Sequence, residues 1–501
     1  MAATTGCPGS DGEIGEPCGG HGDCDGNLQC STGVCVPRCA RAPECGDGYA
    51  CSSDGLCSLA SGQPGDGCTS EVECSPGLSC QIDGTAVEGT HLLASCTAQG
   101  DGKPSGGGCA LDADCRNGTC ALGQCVDLCS VTRDCAAGYS CMDIPRVEAS
   151  GSLFGGCLPS KGNVTWTIPI SAPTANILLP VPSAARYASL VFSVDDPQQR
   201  VGAQALGSPS GQLLYARPCE VTEPGCDPVA EFYDNLVRHE PELGQSVIAF
   251  PSTPEAPIET GTYRVQMSSY RRNGSIGSAI PQVTAVVRID TATLLDLRFH
   301  FLDLDDHVCQ SEMGGTRFDA TQAQTAPFFQ EDFIGRLREI FVAGGVAFGN
   351  LTYDDIKNRP DLDELDVSNS GELLSLGTGT TGIDVFFVRA LSPVGLQAFG
   401  PNPGPAGLAH TRQSGIVIGL DTLCYRSWSQ LARLTAHEIA RYMGLSHNRE
   451  LDVNPVTGIP WADQIDDSDL TENNLMFFSE LGGIGISPGQ RDILSRSGVL
   501  R

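Results

Sequence analysis

In this 501-residue chain the groups that could do chemistry concentrate in one segment, His437-Glu438-Ile439-Ala440-Arg441-Tyr442-Met443-Gly444-Leu445-Ser446-His447. On a helix, His437 and position 441 lie one turn apart on a single face. Gly444 can end that helix and turn the chain, which brings His447 back over the same face. Such spacing is what a three-ligand zinc site with one open position needs. Glu438 then stands where a carboxylate takes a proton from metal-bound water. Position 441, however, is arginine.

A guanidinium stays protonated and offers only donors, so Arg441 cannot ligate zinc. At about 4 Å from a divalent ion, with an effective dielectric near ~20, its repulsion is on the order of 8 kcal/mol. Zinc and an inward Arg441 therefore exclude each other. Glu438, three residues earlier, is the nearest carboxylate in helical geometry. Arg441 is expected to pair with it, fill the space of the metal and occupy the general base.

The elements that must hold this segment can be read around it. A capping box, Ser427 with Gln430, opens its helix, and Trp428, Leu431, Thr435, Ile439 and Tyr442 form the buried stripe. Upstream, Leu295, Leu297, Phe299 and Phe301 alternate as a half-buried strand. Pro327 opens a helix with Phe329, Phe333, Leu337 and Ile340 at helical steps, ended by Gly344. Two more strands, Asp384 to Val388 and Ile416 to Leu420, precede the second helix, and Ser487, Pro488 and Gln490 open a last one. The region 284–501 is thus expected to be one α/β domain.

The histidine segment resembles the metzincin signature, H-E-x-x-H-x-x-G-x-x-H, at every fixed position except 441. The resemblance runs from about Leu294 to Ser497 and includes a fitting methionine turn, Asn474-Leu475-Met476. It implies a zinc metalloprotease fold with His437 and His447 as metal ligands, Glu438 as the catalytic base, and Gly444 and Met476 in structural roles. With Arg441 at the degenerate ligand position, zinc binding is expected to be weak or absent. Together with a Cys-rich N-terminus, the pattern is similar to bacterial surface proteases related to the pappalysin branch. The excess of 27 Arg over three Lys also suits a GC-rich bacterial coding sequence.

Of 25 Cys, 21 lie between Cys7 and Cys157. From Cys18 they form five groups of four: Cys18 to Cys35, Cys39 to Cys57, Cys68 to Cys96, Cys109 to Cys125 and Cys129 to Cys157. No C-x-x-C zinc knuckle occurs, so disulfides in an oxidising compartment are expected. Each group is too short to bury a core, and cross-links replace one. Four Cys allow three pairings, and the spacing does not choose among them. Gly- and Pro-containing linkers at 61–67 and 98–108 suggest an extended, semi-flexible stalk. Cys7 reads as either a lipid-attachment point or a free thiol. An export leader is absent from residues 1–20 and is expected to have been removed.

The organisation expected is therefore multidomain. An N-terminal tail at 1–17 leads to five disulfide-rich repeat units at 18–160. An all-β sandwich at 161–283, with short β-branched runs such as 164–170, 190–194 and 263–267, precedes the metzincin-like α/β domain at 284–501. Cys219 could pair with Cys226 across a hairpin, and Cys309 with Cys424 as the two Cys of the last domain.

A net charge of −30 repels phosphate backbones and anionic lipid surfaces, which excludes a nucleic-acid binder. No run of about 20 apolar residues exists to form a transmembrane segment. Carboxylates at 361, 363 and 372 match the first, third and twelfth positions of an EF-hand loop, although Leu365 and Asp366 break the pattern; a solvated loop competes with calcium binding there. His300, His307 and His410 read as ordinary surface or core residues.

Three readings stay open. The chain is a secreted or surface pseudoprotease that binds a protein or peptide. Alternatively it is an active zinc endopeptidase whose Arg441 swings outward, the site being completed by water or by a carboxylate from 463–469. As a third possibility, it is an adhesion or structural protein acting through its Cys-rich units. A natural His replaced at 441 would make the parent an ordinary zinc endopeptidase.

Overall fold

The five Cys-rich units solve the same problem in the same way. In each, the first Cys pairs with the third and the second with the fourth: Cys18–Cys30 with Cys24–Cys35, Cys39–Cys51 with Cys45–Cys57, Cys68–Cys80 with Cys74–Cys96, Cys109–Cys120 with Cys115–Cys125, and Cys129–Cys141 with Cys135–Cys157. The computed structural model describes residues 14, 16–26, 28–31, 34–45, 49–51, 55–147, 151–219, 226–302, 309–315, 318–479 and 482–501. Cys7 and His307 lie outside them.

Between the first and second Cys of every unit the chain makes one turn, closed by the acidic residue just before the second Cys. Asp23, Glu44, Glu73, Asp114 and Asp134 each accept from the backbone N–H four residues back, at 2.8–2.9 Å. A short hairpin then carries the third Cys opposite the last, as in Cys30 opposite Cys35 and Cys141 opposite Cys157.

The linkers are not loose. Gly62 and Lys103 bridge to the second Cys of the following unit, Cys74 and Cys115, and a Cβ at Gly102 would come within 2.5 Å of the Cys115 backbone. The third and fifth units also share a sheet, Leu153 pairing parallel to His91. This region is therefore a connected body, which corrects the expectation of a semi-flexible array. Its disulfides fit an extracellular protein. No helix among the described residues is long and apolar enough to cross a membrane.

The second compact unit comprises Lys161–Val181, Ala185–Glu259 and Tyr263–Arg501. It begins with two β-sheets. One orders the strands Asn163–Ile168, Gln282–Arg288, Tyr187–Ser193 and Gln245–Phe250, all antiparallel. The other orders Thr174–Val181, Gly261–Tyr270, Arg200–Gly207 and Leu213–Ala216. The division expected at 283 falls inside Gln282–Arg288, which belongs wholly to the first sheet. Two of its strands are buried on both faces: residues 187–192 and 245–250 are all buried, and Tyr187 and Ala249 join the core of the C-terminal part.

That C-terminal part is a five-stranded sheet with helices against it. In chain order the strands are β1 (Leu294–Leu302), β2 (Ala347–Ile356), β3 (Ile383–Val388), β4 (Ala398–Phe399) and β5 (Ile416–Gly419). They lie side by side as β2-β1-β3-β5-β4, parallel except for the edge strand β4. β1 is an inner strand covered on both faces, so Asp296 and His300 are buried along with the apolar residues. This corrects the half-buried reading, because period-two alternation does not distinguish an exposed polar residue from a buried, paired one. His300 Nε2 bonds Asp384 at 2.8 Å, and Arg298 grips the same carboxylate.

Helix α1 (Gly335–Ala343) continues from a π-helical turn, Phe328–Ile334, after Pro327, and Gly344 caps it. Helix α2 (Trp428–Tyr442) starts at a capping box of Ser427 and Gln430, and α3 (Pro488–Arg496) at one of Ser487 and Gln490. Disulfides join Cys309 to Cys424, just ahead of α2, and Cys219 to Cys226. The EF-hand-like carboxylates have other partners: Asp361 and Glu372 bond Arg359, and Asp363 bonds Arg389.

Candidate functional site

Helix α2 carries the site, and its placement explains the site's burial. Trp428, Leu431, Ile439 and Tyr442 pack into the core, but so do Arg433, His437 and Glu438, each about 5% exposed. The helix is enclosed on nearly all sides, so its polar face meets protein instead of water. Gly444 takes φ +108°, a conformation that favours glycine, and the chain turns away there. His447 consequently returns over the helix.

The two imidazoles meet: His437 Nε2 lies 3.3 Å from His447 Nε2. His437 Nδ1 is 2.9 Å from the Leu475 carbonyl, which can only accept. The proton is therefore on Nδ1, and the Nε2 lone pair faces His447. Burial, followed by the neighbouring His447, holds His437 well below the ordinary imidazole range, which favours this neutral form. His447 Nδ1 lies 3.1 Å from Glu450. Against the cost of its own burial, Glu450 is held below the usual carboxylate range by that bond and the nearby cationic side chains.

The loop bearing Met476 is fixed beneath. Arg433 donates to the carbonyls of Leu475, Ser479 and Gly483. Met476 is fully buried, its N–H bonds Asn474 Oδ1, and its carbonyl accepts from Asn448 just after His447. Asn474 is in turn held by Gln490 of α3.

Arg441 lies with its guanidinium 3.7 Å from Glu438 Oε2. That is an ion pair without a hydrogen bond; Glu438 Oε2 and Arg441 Nε are both buried with no hydrogen-bond partner among the described residues. Burial raises the Glu438 carboxyl above its ordinary range, and Arg441 offsets only part of the shift. A basic side chain thus stands beside the buried Glu438 carboxylate.

The spacing of the two imidazoles suits a tetrahedral ion with metal–nitrogen bonds of about 2.0–2.1 Å, whose ligand nitrogens lie about 3.3 Å apart. The rest of the donor set does not fit zinc. Among the described residues, the only groups of three or more His, Cys, Asp or Glu ligand atoms within 4.8 Å of one another are cysteines, and these are in disulfides. Three of the four loop carboxylates are engaged elsewhere: Asp463 bonds Ser468, Asp467 caps α3 through Ser487 and Gly489, and Asp469 bonds Thr471.

His447, Glu450 and Arg441 line a cleft of about 700 Å³, together with 400–403 and the segment Arg238–Gln245 of the β-sheet region. Its volume lies in the range of ligand-binding clefts.

No protein-family model and no curated protein matches the chain. Among solved structures, mirolysin in complex with compound 9 is similar over 40% of this chain and 91% of that one, at 9% identity and a TM-score of 0.26. The structure of infectious bursal disease virus Gx strain covers 55% of this chain and 65% of that one, at 13% identity and a TM-score of 0.15. Similarity at this level leaves the reading of the site to its own geometry.

Two participants escape sequence reasoning. Arg433 precedes His437 by four residues and Arg441 by eight, so helical spacing could have placed all three in one row. Glu450 follows His447 in an irregular loop, where no periodicity marks it.

Proposed function

We propose that this chain is an exported, metzincin-like pseudoprotease that binds a protein or peptide in the cleft beside Arg441. The observation that carries this reading is the Arg441–Glu438 pair at 3.7 Å, which puts a cation at the third ligand position and against the base. A protease needs an open metal coordination site and a carboxylate free to move a proton. A guanidinium in that place can instead donate to the carbonyl or carboxylate of a bound chain without cleaving it. His447 and Glu450 then act as fixed walls of a recognition site, with His437 and Glu438 buried behind them.

A second reading, an active zinc endopeptidase, draws on the retained orientation of His437 by Leu475 and of His447 by Glu450, the kind of support metal-binding imidazoles have. It requires Arg441 to leave and another donor to enter. The Cys-rich units as the seat of adhesion is a third reading, which no feature of the cleft favours.

The deciding experiment measures zinc per purified chain and cleavage of an unstructured protein substrate, with Glu438→Ala as control. Zinc far below one per chain and no Glu438-dependent cleavage are expected. One zinc per chain with Glu438-dependent cleavage would replace this reading with the second.

A further inference from the structure

A smaller pocket of about 490 Å³ adjoins the cleft, sharing Arg200, Phe232, Tyr233, Glu240 and Pro241 with it. Four guanidiniums line it, Arg200, Arg217, Arg271 and Arg272, against two carboxylates, Glu240 and Asp452. In a chain with 60 acidic and 30 basic residues, this local excess of positive charge runs against the whole. Arg217 lies over the Tyr270 ring at 4.2 Å, which fixes its plane. Among the described residues, Arg200, Arg271 and Arg272 form no ion pair.

The lining adds a second, independent sign of a ligand. Tyr215 is fully buried, yet its hydroxyl has no hydrogen-bond partner among the described residues. An orphaned buried hydroxyl is costly unless something bonds it. A carboxylate entering between the arginines is the complement, since it accepts from guanidinium and phenol together. The aromatic rings of Phe232 and Tyr233 on the shared wall suit the aliphatic part of the residue that carries it.

We infer that this pocket is an acidic subsite: it takes an Asp or Glu side chain of the peptide held in the cleft. The inference rests on the peptide-binding reading. A peptide, rather than an acidic sugar, is favoured because the pocket is continuous with the groove that passes Arg441.

The test is fluorescence anisotropy of the full chain with two labelled peptides of equal length, one Glu-rich and one with Gln at the same positions. The Glu peptide is expected to bind about tenfold more tightly, with the preference shrinking as salt rises. Arg271→Gln with Arg272→Gln should abolish the preference, and Tyr215→Phe should weaken Glu-peptide binding a few-fold while leaving Gln-peptide binding in place. Equal binding of both peptides would overturn the acidic subsite and leave the peptide-binding reading standing. Binding of neither would overturn both. An arginine-dependent response to a glucuronate oligosaccharide alone would make the occupant a sugar acid and overturn the peptide assignment.

Discussion

Arg433 and His437 share one acceptor. Both donate to the Leu475 carbonyl, at 2.8 and 2.9 Å, from successive turns of α2. One peptide oxygen therefore couples the position of the imidazole to the loop that precedes Met476. Replacing Arg433 with Met is expected to leave the Leu475, Ser479 and Gly483 carbonyls short of donors and to destabilise the fold by about 2–3 kcal/mol. Chemical denaturation measures it; an unchanged midpoint would remove Arg433 from this role.

Arg441→His should raise zinc uptake towards one per chain, because His437 and His447 are already set 3.3 Å apart and their outer nitrogens are held. Metal analysis after dialysis reads the change. Recovered cleavage that disappears with Glu438→Ala would further show that the base is released when the guanidinium is gone.

The Cys309–Cys424 bridge closes 115 residues of chain ahead of α2. Changing both to Ala is expected to cost about 2–4 kcal/mol by freeing the unfolded chain. The melting temperature should fall under non-reducing conditions, and a variant as stable as the parent would contradict this.

Glu71 is pushed up to about 8, first by burial and then by Asp127. A carboxyl raised in the fold above its unfolded value of 4.5 favours the protonated state, so stability is present at low pH and is lost as pH rises from about 4.5 towards 8. Glu71→Gln should therefore raise the melting temperature at pH 8 and change it little near pH 4, since the amide can still accept from the Cys80 N–H. A gain of equal size at both pH values would assign the effect to something other than ionisation.

Helix α2 was legible because its stripe, capping box and terminal glycine agree with one another. So was the pairing of Arg441 with Glu438, which needs only helical geometry. The strand order was not, since β2 and β3 flank β1 through parallel pairings that leave no local mark. Nor did composition show that two strands of the sheet containing Gln282–Arg288 would be buried on both faces, which is why a division fell within it. The disulfide pattern had an unread clue: the acid before each second Cys fixes a turn that the spacing alone does not require.

The interlaced bridges of the N-terminal units also decide what a cut can do. With first joined to third and second to fourth, a backbone break in any of the three inter-Cys segments leaves both pieces covalently linked. Pairing of neighbours would instead let a unit fall in two at its middle segment. Each unit thus tolerates one nick without shedding mass, and a protease attacking it produces a change visible only after reduction.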